Sequence, residues 1–307
     1  MTKIDKYKGI IVAFYACFDD EGNVSIERTK KLARFYVEKG VKGLYVNGSS
    51  GEGFLLSVEE RNTVLSAVME EVRNELTIIA HVAAVSTRDS IALAQHAENL
   101  GVDALSAVPS VYYRIPERSI EKYWTDIINS TELDFIIYNI PQTTGYSLSS
   151  NLFKKMIQNE KVIGVKNSSM APLDIQQFKA IAGEEFLVLN GPDEQYIAGR
   201  MMGADGGIGG TYGVMPELFL ELEKCIASND IQNAQVIQNE INEIIFELLD
   251  FPNLYSAAKE VLKLRGVNIG TTRLPLEGVP VEDMERIKLL HEKLVGYINK
   301  YLPSNQL

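Results

Sequence analysis

The chain has 307 residues, 46% of them hydrophobic, which is enough for a large core and rules out a disordered protein. A net charge of −11 and a pI of about 4.9 argue against nucleic acid or an anionic membrane surface as partner, since either demands a basic face. Cys17 and Cys225 are too far apart to suggest a disulfide framework or a metal-ligand pair, and His81, His96 and His291 are scattered, so a reducing cytoplasm and metal-free chemistry are expected.

In chain order, the first apolar run is Gly9 to Phe18. It follows Lys3, Lys6 and Lys8 and has the length of a signal-peptide core. It lacks a small-x-small cleavage site and runs directly into Asp19-Asp20-Glu21-Gly22, so it reads as a buried first strand. No stretch approaches the ~18 apolar residues of a spanning helix. Ser25 to Lys39 carries Leu32, Phe35 and Tyr36 at helical spacing and stops at Gly40, and a second strand follows over Val41 to Val46. Ser57 and Glu60 form a capping box ahead of the stripe Val64, Leu65, Val68, Met69 and Val72.

The unit then recurs. Strand Thr77 to Ala83 precedes a helix from Thr87 to Leu100, and strand Ala104 to Val108 precedes a helix from Ser119 to Ile128. Strands at Phe135 to Tyr138, Val162 to Lys166, Phe186 to Leu189 and Gly206 to Gly209 complete eight, separated by helical segments. Gly40, Gly101 and Gly203 each mark the reversal of a helix into a strand. Alternation of this kind demands a parallel sheet, and eight units predict an α/β fold closed as a (β/α)8 TIM barrel over residues 1–215. An open doubly wound sheet is the competing architecture, weakened because the glycine cluster Gly206 to Gly210 has Tyr212 where a dinucleotide turn needs its third glycine. From Pro216 amphipathic helices take over, around Glu217 to Ala227, Asp230 to Leu249, Ser256 to Leu264 and Val281 to Tyr301. Residues 216–307 are therefore expected to form a C-terminal helical extension packed on the barrel, as a cap or a subunit interface.

A barrel of this kind places its site at the C-terminal ends of the strands. Strand two ends in Asn47-Gly48-Ser49-Ser50-Gly51-Glu52, whose amides and hydroxyls suit a carboxylate or phosphate, although such residues also make ordinary turns. Strand five ends in Tyr138-Asn139-Ile140-Pro141, where a tyrosine can shuttle a proton or simply fill the core. Strand six ends at Lys166. Desolvation favours a neutral amine there, able to attack a carbonyl and form a Schiff base, and lowering a lysine from ~10.4 to near 7 needs roughly 4 to 5 kcal/mol of environment. A strand-end lysine snorkelling to water is the alternative. Strand four leads into Tyr112-Tyr113, strand seven into Asn190-Gly191-Pro192-Asp193-Glu194, and strand eight into Gly209-Gly210-Thr211-Tyr212. The Asp193-Glu194 pair is either solvated surface or an acceptor for sugar hydroxyls.

Together, Gly48-Ser49-Ser50-Gly51-Glu52, Tyr138-Asn139-Ile140-Pro141, Gly164-Val165-Lys166-Asn167-Ser168 and Gly203 to Gly209 resemble the N-acetylneuraminate lyase and dihydrodipicolinate synthase family over nearly the whole chain. The resemblance implies a cytoplasmic, pyruvate-dependent class I aldolase, normally a homotetramer, with no cofactor beyond the imine on Lys166. It implies Lys166 as nucleophile, Tyr138 as proton shuttle, and Ser49 and Ser50 as ligands of the pyruvate carboxylate. Tyr45, Ser168, Gly191, Asp193, Glu194 and Gly210 join the implied substrate-binding set, and Tyr112 is implied to reach a neighbouring subunit's site. Thr143 stands where the synthase branch carries an arginine, while Gly191-Pro192-Asp193-Glu194 resembles the lyase branch, so the implied substrates are a sugar acid, N-acetylneuraminate, and pyruvate. A 2-keto-3-deoxy sugar acid aldolase, a dihydrodipicolinate synthase and a non-catalytic sugar-acid binding barrel are the alternatives. Ser168 stands where lyases commonly have threonine, a change that keeps the hydroxyl; Gly210, where many lyases have serine, and Ala16-Cys17, in place of a common Thr-Pro, are the two departures.

Overall fold

A computed structural model describes residues 2–109 and 111–302, so positions 1, 110 and 303–307 of the two expected regions lie outside the described residues. Eight parallel strands close in sequence order into one barrel: β1 (Gly9–Ala13), β2 (Gly43–Val46), β3 (Thr77–His81), β4 (Ala104–Ala107), β5 (Asp134–Asn139), β6 (Val162–Asn167), β7 (Leu187–Asn190) and β8 (Gly206–Gly209). Closure between β8 and β1 brings the backbones together at Gly206, where a Cβ would collide with the backbone of Gly9. Strand interiors are buried on both faces, which is why they read as continuous β-branched and leucine runs rather than alternating ones.

Helices α1 (Ile26–Lys39), α2 (Val58–Val72), α3 (Thr87–Leu100) and α4 (Glu117–Ile128) follow the first four strands. The fifth crossover is split into α5 (Pro141–Thr144) and α6 (Ser150–Met156); α7 (Leu173–Ala182), α8 (Tyr196–Met201) and α9 (Pro216–Ala227) follow the last three strands. The Ser57–Glu60 capping box forms as expected, and Gly40 and Gly101 cap α1 and α3 in the left-handed region at φ 76° and 75°. Gly203 also has positive φ, 100°, but lies one residue beyond the α8 cap, Met202.

The first strand is shorter than expected. Phe14 to Phe18 stay buried, but past Phe14, whose amide still bonds to the Tyr45 carbonyl, the run leaves the barrel ladder; Phe18 bonds instead to Ile269 and bridges to Val24. Packing rather than strand pairing buries it: Phe14 lies edge-on against Tyr36 of α1, Tyr15 donates to the Gly210 carbonyl, and Phe18 meets the C-terminal segment at Ile269. The extension comprises α10 (Ile231–Leu249), α11 (Leu254–Leu264) and α12 (Met284–Tyr301), the last preceded by a 3-10 turn over Val281–Asp283. Helix α9 packs on β1 and α1, the place of the eighth barrel helix, so the expected division at 215/216 falls between β8 and the helix that follows it. One continuous apolar core runs from the barrel through Leu222, Ile241, Leu262 and Leu294 of the helices beyond it.

Candidate active site

At the C-terminal mouth of the barrel is a cavity of about 300 Å³ to which β2, β5, β6, β7 and β8 or the loops after them contribute. Lys166 is at its floor, 4% exposed. Parallel register sets Tyr138 of β5 directly beside Lys166 of β6, and the two side chains therefore enter the barrel together. The lysine Nζ lies 4.1 Å from the centre of the Tyr138 ring and 4.8 Å from that of Tyr45. Their strand neighbours Asn139 and Asn167 hydrogen-bond to each other at 2.7 Å, and Asn139 Oδ1 accepts the Leu148 amide at 3.0 Å, which fixes both strand ends.

Tyr45 donates to Ser106 Oγ at 3.0 Å and stacks edge-on against Tyr138, with ring centres 5.8 Å apart. His81 completes this aromatic group. Burial, helped by the Arg61 charge, pushes its pKa down to about 3, so the ring is neutral. Its Nδ1 donates to the Asn47 carbonyl at 3.0 Å and its Nε2 accepts the Val108 amide at 3.4 Å, an assignment that follows from the partners. His81 thereby anchors the start of the β2 loop, where Asn47 holds a left-handed φ of 64°.

That loop brings Ser49 and Ser50 to the cavity wall. Among the described residues their amides and hydroxyls make no hydrogen bonds, which leaves these donors free for a ligand in the cavity. The β7 loop supplies Gly191, Asp193 and Glu194 to the same cavity. A side chain at 191 would collide with Ser168 Oγ, so glycine there lets the β6 and β7 loops meet. Asp193 Oδ2 accepts both the amide and the hydroxyl of Thr211, each at 2.7 Å. Burial nevertheless raises its pKa to about 6, because desolvation of the carboxylate outweighs these two bonds. Gly210 lines the same wall, and a Cβ there would lie 2.7 Å from Ser50 Oγ, so in this chain glycine leaves room for the serine hydroxyl.

Of the residues singled out in the sequence, all but Tyr112 meet at this cavity. Tyr112 lies outside it, 88% exposed, with a left-handed φ of 78°. Several wall residues escape the sequence reading. Tyr15, which donates to the Gly210 carbonyl at 2.7 Å, sits in the apolar run taken as strand, and a shorter strand would have placed it at a strand end. Leu254 and Tyr255 come from α11, and no strand precedes them to flag a position at the mouth. Among the described residues no group of three or more His, Cys, Asp or Glu side chains is placed to hold a metal ion.

Comparison with known proteins gives the same picture at the scale of the chain. The chain is 49% identical to an N-acetylneuraminate lyase of Mediterraneibacter gnavus over 305 residues, covering 98% of this chain and 97% of that one. It is 32% identical to the N-acetylneuraminate lyase of Clostridium perfringens over 287 residues, 93% of this chain and 99% of the relative. A solved structure of a catalytic lysine mutant of Ruminococcus gnavus sialic acid aldolase superposes with a TM-score of 0.97 at 49% identity, covering 98% of this chain and 100% of that one. The dihydrodipicolinate synthetase family model matches residues 6–293, barrel, pocket and most of the helical extension alike, and the chain belongs to that family.

Proposed function

We propose that this protein is a carbon–carbon lyase, a class I aldolase that cleaves N-acetylneuraminate reversibly to N-acetylmannosamine and pyruvate through an imine on Lys166. The observation that carries this reading is the pairing of a buried lysine with Tyr138 in strand register, beneath a loop whose donors are unused. The near-full-length likeness to N-acetylneuraminate lyases supplies the substrate. The aldolase whose structure aligns so closely has a catalytic lysine, and Lys166 is the lysine at this cavity.

The unprotonated amine of Lys166 attacks the C2 ketone of the open-chain sugar acid, and loss of water leaves a protonated imine. Removal of the C4 hydroxyl proton then breaks the C3–C4 bond. Its electron pair flows into the imine to give an enamine, and N-acetylmannosamine leaves as the aldehyde. Protonation at C3 and hydrolysis return pyruvate and the free lysine. Tyr138 moves the protons, Ser49 and Ser50 hold the carboxylate, and Asp193, Glu194, Ser168, Gly191 and Gly210 border the polyhydroxyl tail. No metal or other cofactor takes part in this scheme. Borohydride added with pyruvate should leave a stable adduct on Lys166, read by peptide mass. An unmodified lysine, or equal labelling of wild type and Lys166→Ala, would overturn the mechanism.

Pyruvate release across sialic and 2-keto-3-deoxy sugar acids tests the substrate, with N-acetylneuraminate expected to give the highest kcat/KM. We further propose a cytoplasmic homotetramer in which Tyr112 reaches a neighbouring subunit's pocket. Residues 1–215 carry most of the site in this reading, and 216–307 support it. Sedimentation velocity checks the tetramer.

A further inference from the structure

Glu52 closes the serine loop with a left-handed φ of 50°, and its side chain turns away from the cavity into the protein. There it meets Lys259 of α11 at 2.6 Å, with both side chains fully buried. The second carboxylate oxygen accepts the Arg273 amide at 2.8 Å, and Lys259 also donates to the Thr271 carbonyl at 2.9 Å. Arg273 in turn grips Glu60, at the start of α2, with two bonds of 2.7 and 2.8 Å. The loop has little freedom elsewhere, since side chains at Gly51 and Gly53 would press on the carbonyls of Phe14 and Asn47. The helix that holds Glu52 is the same one that sends Leu254 and Tyr255 into the pocket.

Two buried charges carry a desolvation cost that a hydrophobic pair of like volume avoids, so stability alone is a weak reason for them. Their geometry offers another. We infer that Glu52 and Lys259 are positioning residues that hold Ser49 and Ser50 at the spacing a pyruvate carboxylate requires, making α11 a working part of the pyruvate subsite. This rests on the carboxylate role proposed above for the serines.

The experiment compares wild type, Glu52→Gln, the double variant Lys259→Met with Glu52→Gln, and Ser50→Ala. Each is assayed in the condensation direction for the KM of pyruvate and of N-acetylmannosamine, alongside thermal melting. Glu52→Gln keeps the side-chain volume and one acceptor but leaves the Lys259 charge buried, whereas the double variant removes that charge too, so either one stays informative where the other fails to fold. The inference expects folded Glu52→Gln, and the double variant where it folds, to raise the pyruvate KM about tenfold while the N-acetylmannosamine KM stays within about twofold, the split expected of damage to one subsite. A wild-type pyruvate KM in whichever of these two variants folds, or equal movement of both constants, would overturn the positioning role if Ser50→Ala still raises the pyruvate KM. An unchanged pyruvate KM in Ser50→Ala would instead overturn the carboxylate reading, and the positioning role with it.

Discussion

Asp193 is a residue whose protonation is set by its surroundings. Its carboxyl is buried and both Thr211 donors fall on Oδ2, so among the described residues Oδ1 takes no bond from the protein and is open to a donor in the cavity. The sugar's hydroxyls can supply one. Binding of the tail should therefore strengthen as Asp193 ionises, and the KM of the sugar acid should fall as pH rises through about 6 and go flat in Asp193→Asn. Stability should move the other way. The folded-state pKa lies above the ordinary 3.8, so the folded protein holds the proton more tightly than the unfolded chain. Between about 4 and 6 rising pH then removes stability, on the order of 3 kcal/mol in all, and urea unfolding of wild type against Asp193→Asn should show that window. At Tyr138 the expectation is simpler. Tyr138→Phe keeps the ring packed on Lys166 but removes the proton carrier, so kcat should drop about 10²- to 10⁴-fold while borohydride trapping of pyruvate on Lys166 persists.

At the scale of elements, the helices of the extension hold the loops of the barrel. Gln238 of α10 accepts the Ile197 amide at 2.9 Å and donates to the Asp193 carbonyl at 3.2 Å, and Asn242 donates to the Glu194 carbonyl at 3.1 Å. Gln238→Leu should raise the KM of the sugar acid several-fold with little change in that of pyruvate, because the brace falls on the β7 loop and the start of α8 and not on the serine loop; steady-state kinetics in both directions checks this. Braces of this kind are not legible in the sequence. Gln238 sits among Ala234, Ile237 and Ile241 as a polar residue on an apolar stripe, and its partners are some 40 residues away along the chain, as with Asp193 at a separation of 45. What is legible follows local rules. The capping box at Ser57, the glycine stops at Gly40 and Gly101, and the alternation of short apolar runs with helical stripes each depend on residues a few positions apart. The strand-end rule then turns Lys166, Tyr138 and the serine loop into neighbours. The rule fails where its input fails: Phe14 to Phe18 are apolar because α1, the β8 loop and the segment at Ile269 bury them, so the apolar run hides Tyr15 although the strand ends at Ala13.

For the molecule as a whole, the question is whether barrel and extension are separable. The expected division at 215/216 would allow a free-standing barrel with a cap, and even a barrel extended through α9 would end at 227. Three observations oppose independence. The apolar core is continuous across the junction, with Ile241, Ile245, Leu262 and Leu294 buried together with barrel residues. Cutting after α9 strips Lys259 from Glu52 and leaves a buried carboxylate without its cation, a change that costs roughly 3–5 kcal/mol. Removal of α10 also frees the Asp193 and Glu194 carbonyls and the Ile197 amide at once. Against a whole-protein stability on the order of 5–15 kcal/mol, the sum of the lost core and the orphaned carboxylate is decisive. A chain ending at residue 229 should therefore show no cooperative urea transition and no borohydride-trapped pyruvate, while the full chain shows both. A truncated chain that unfolds cooperatively and still labels Lys166 would mean that the extension only covers the barrel, and that the pyruvate subsite is complete without α11.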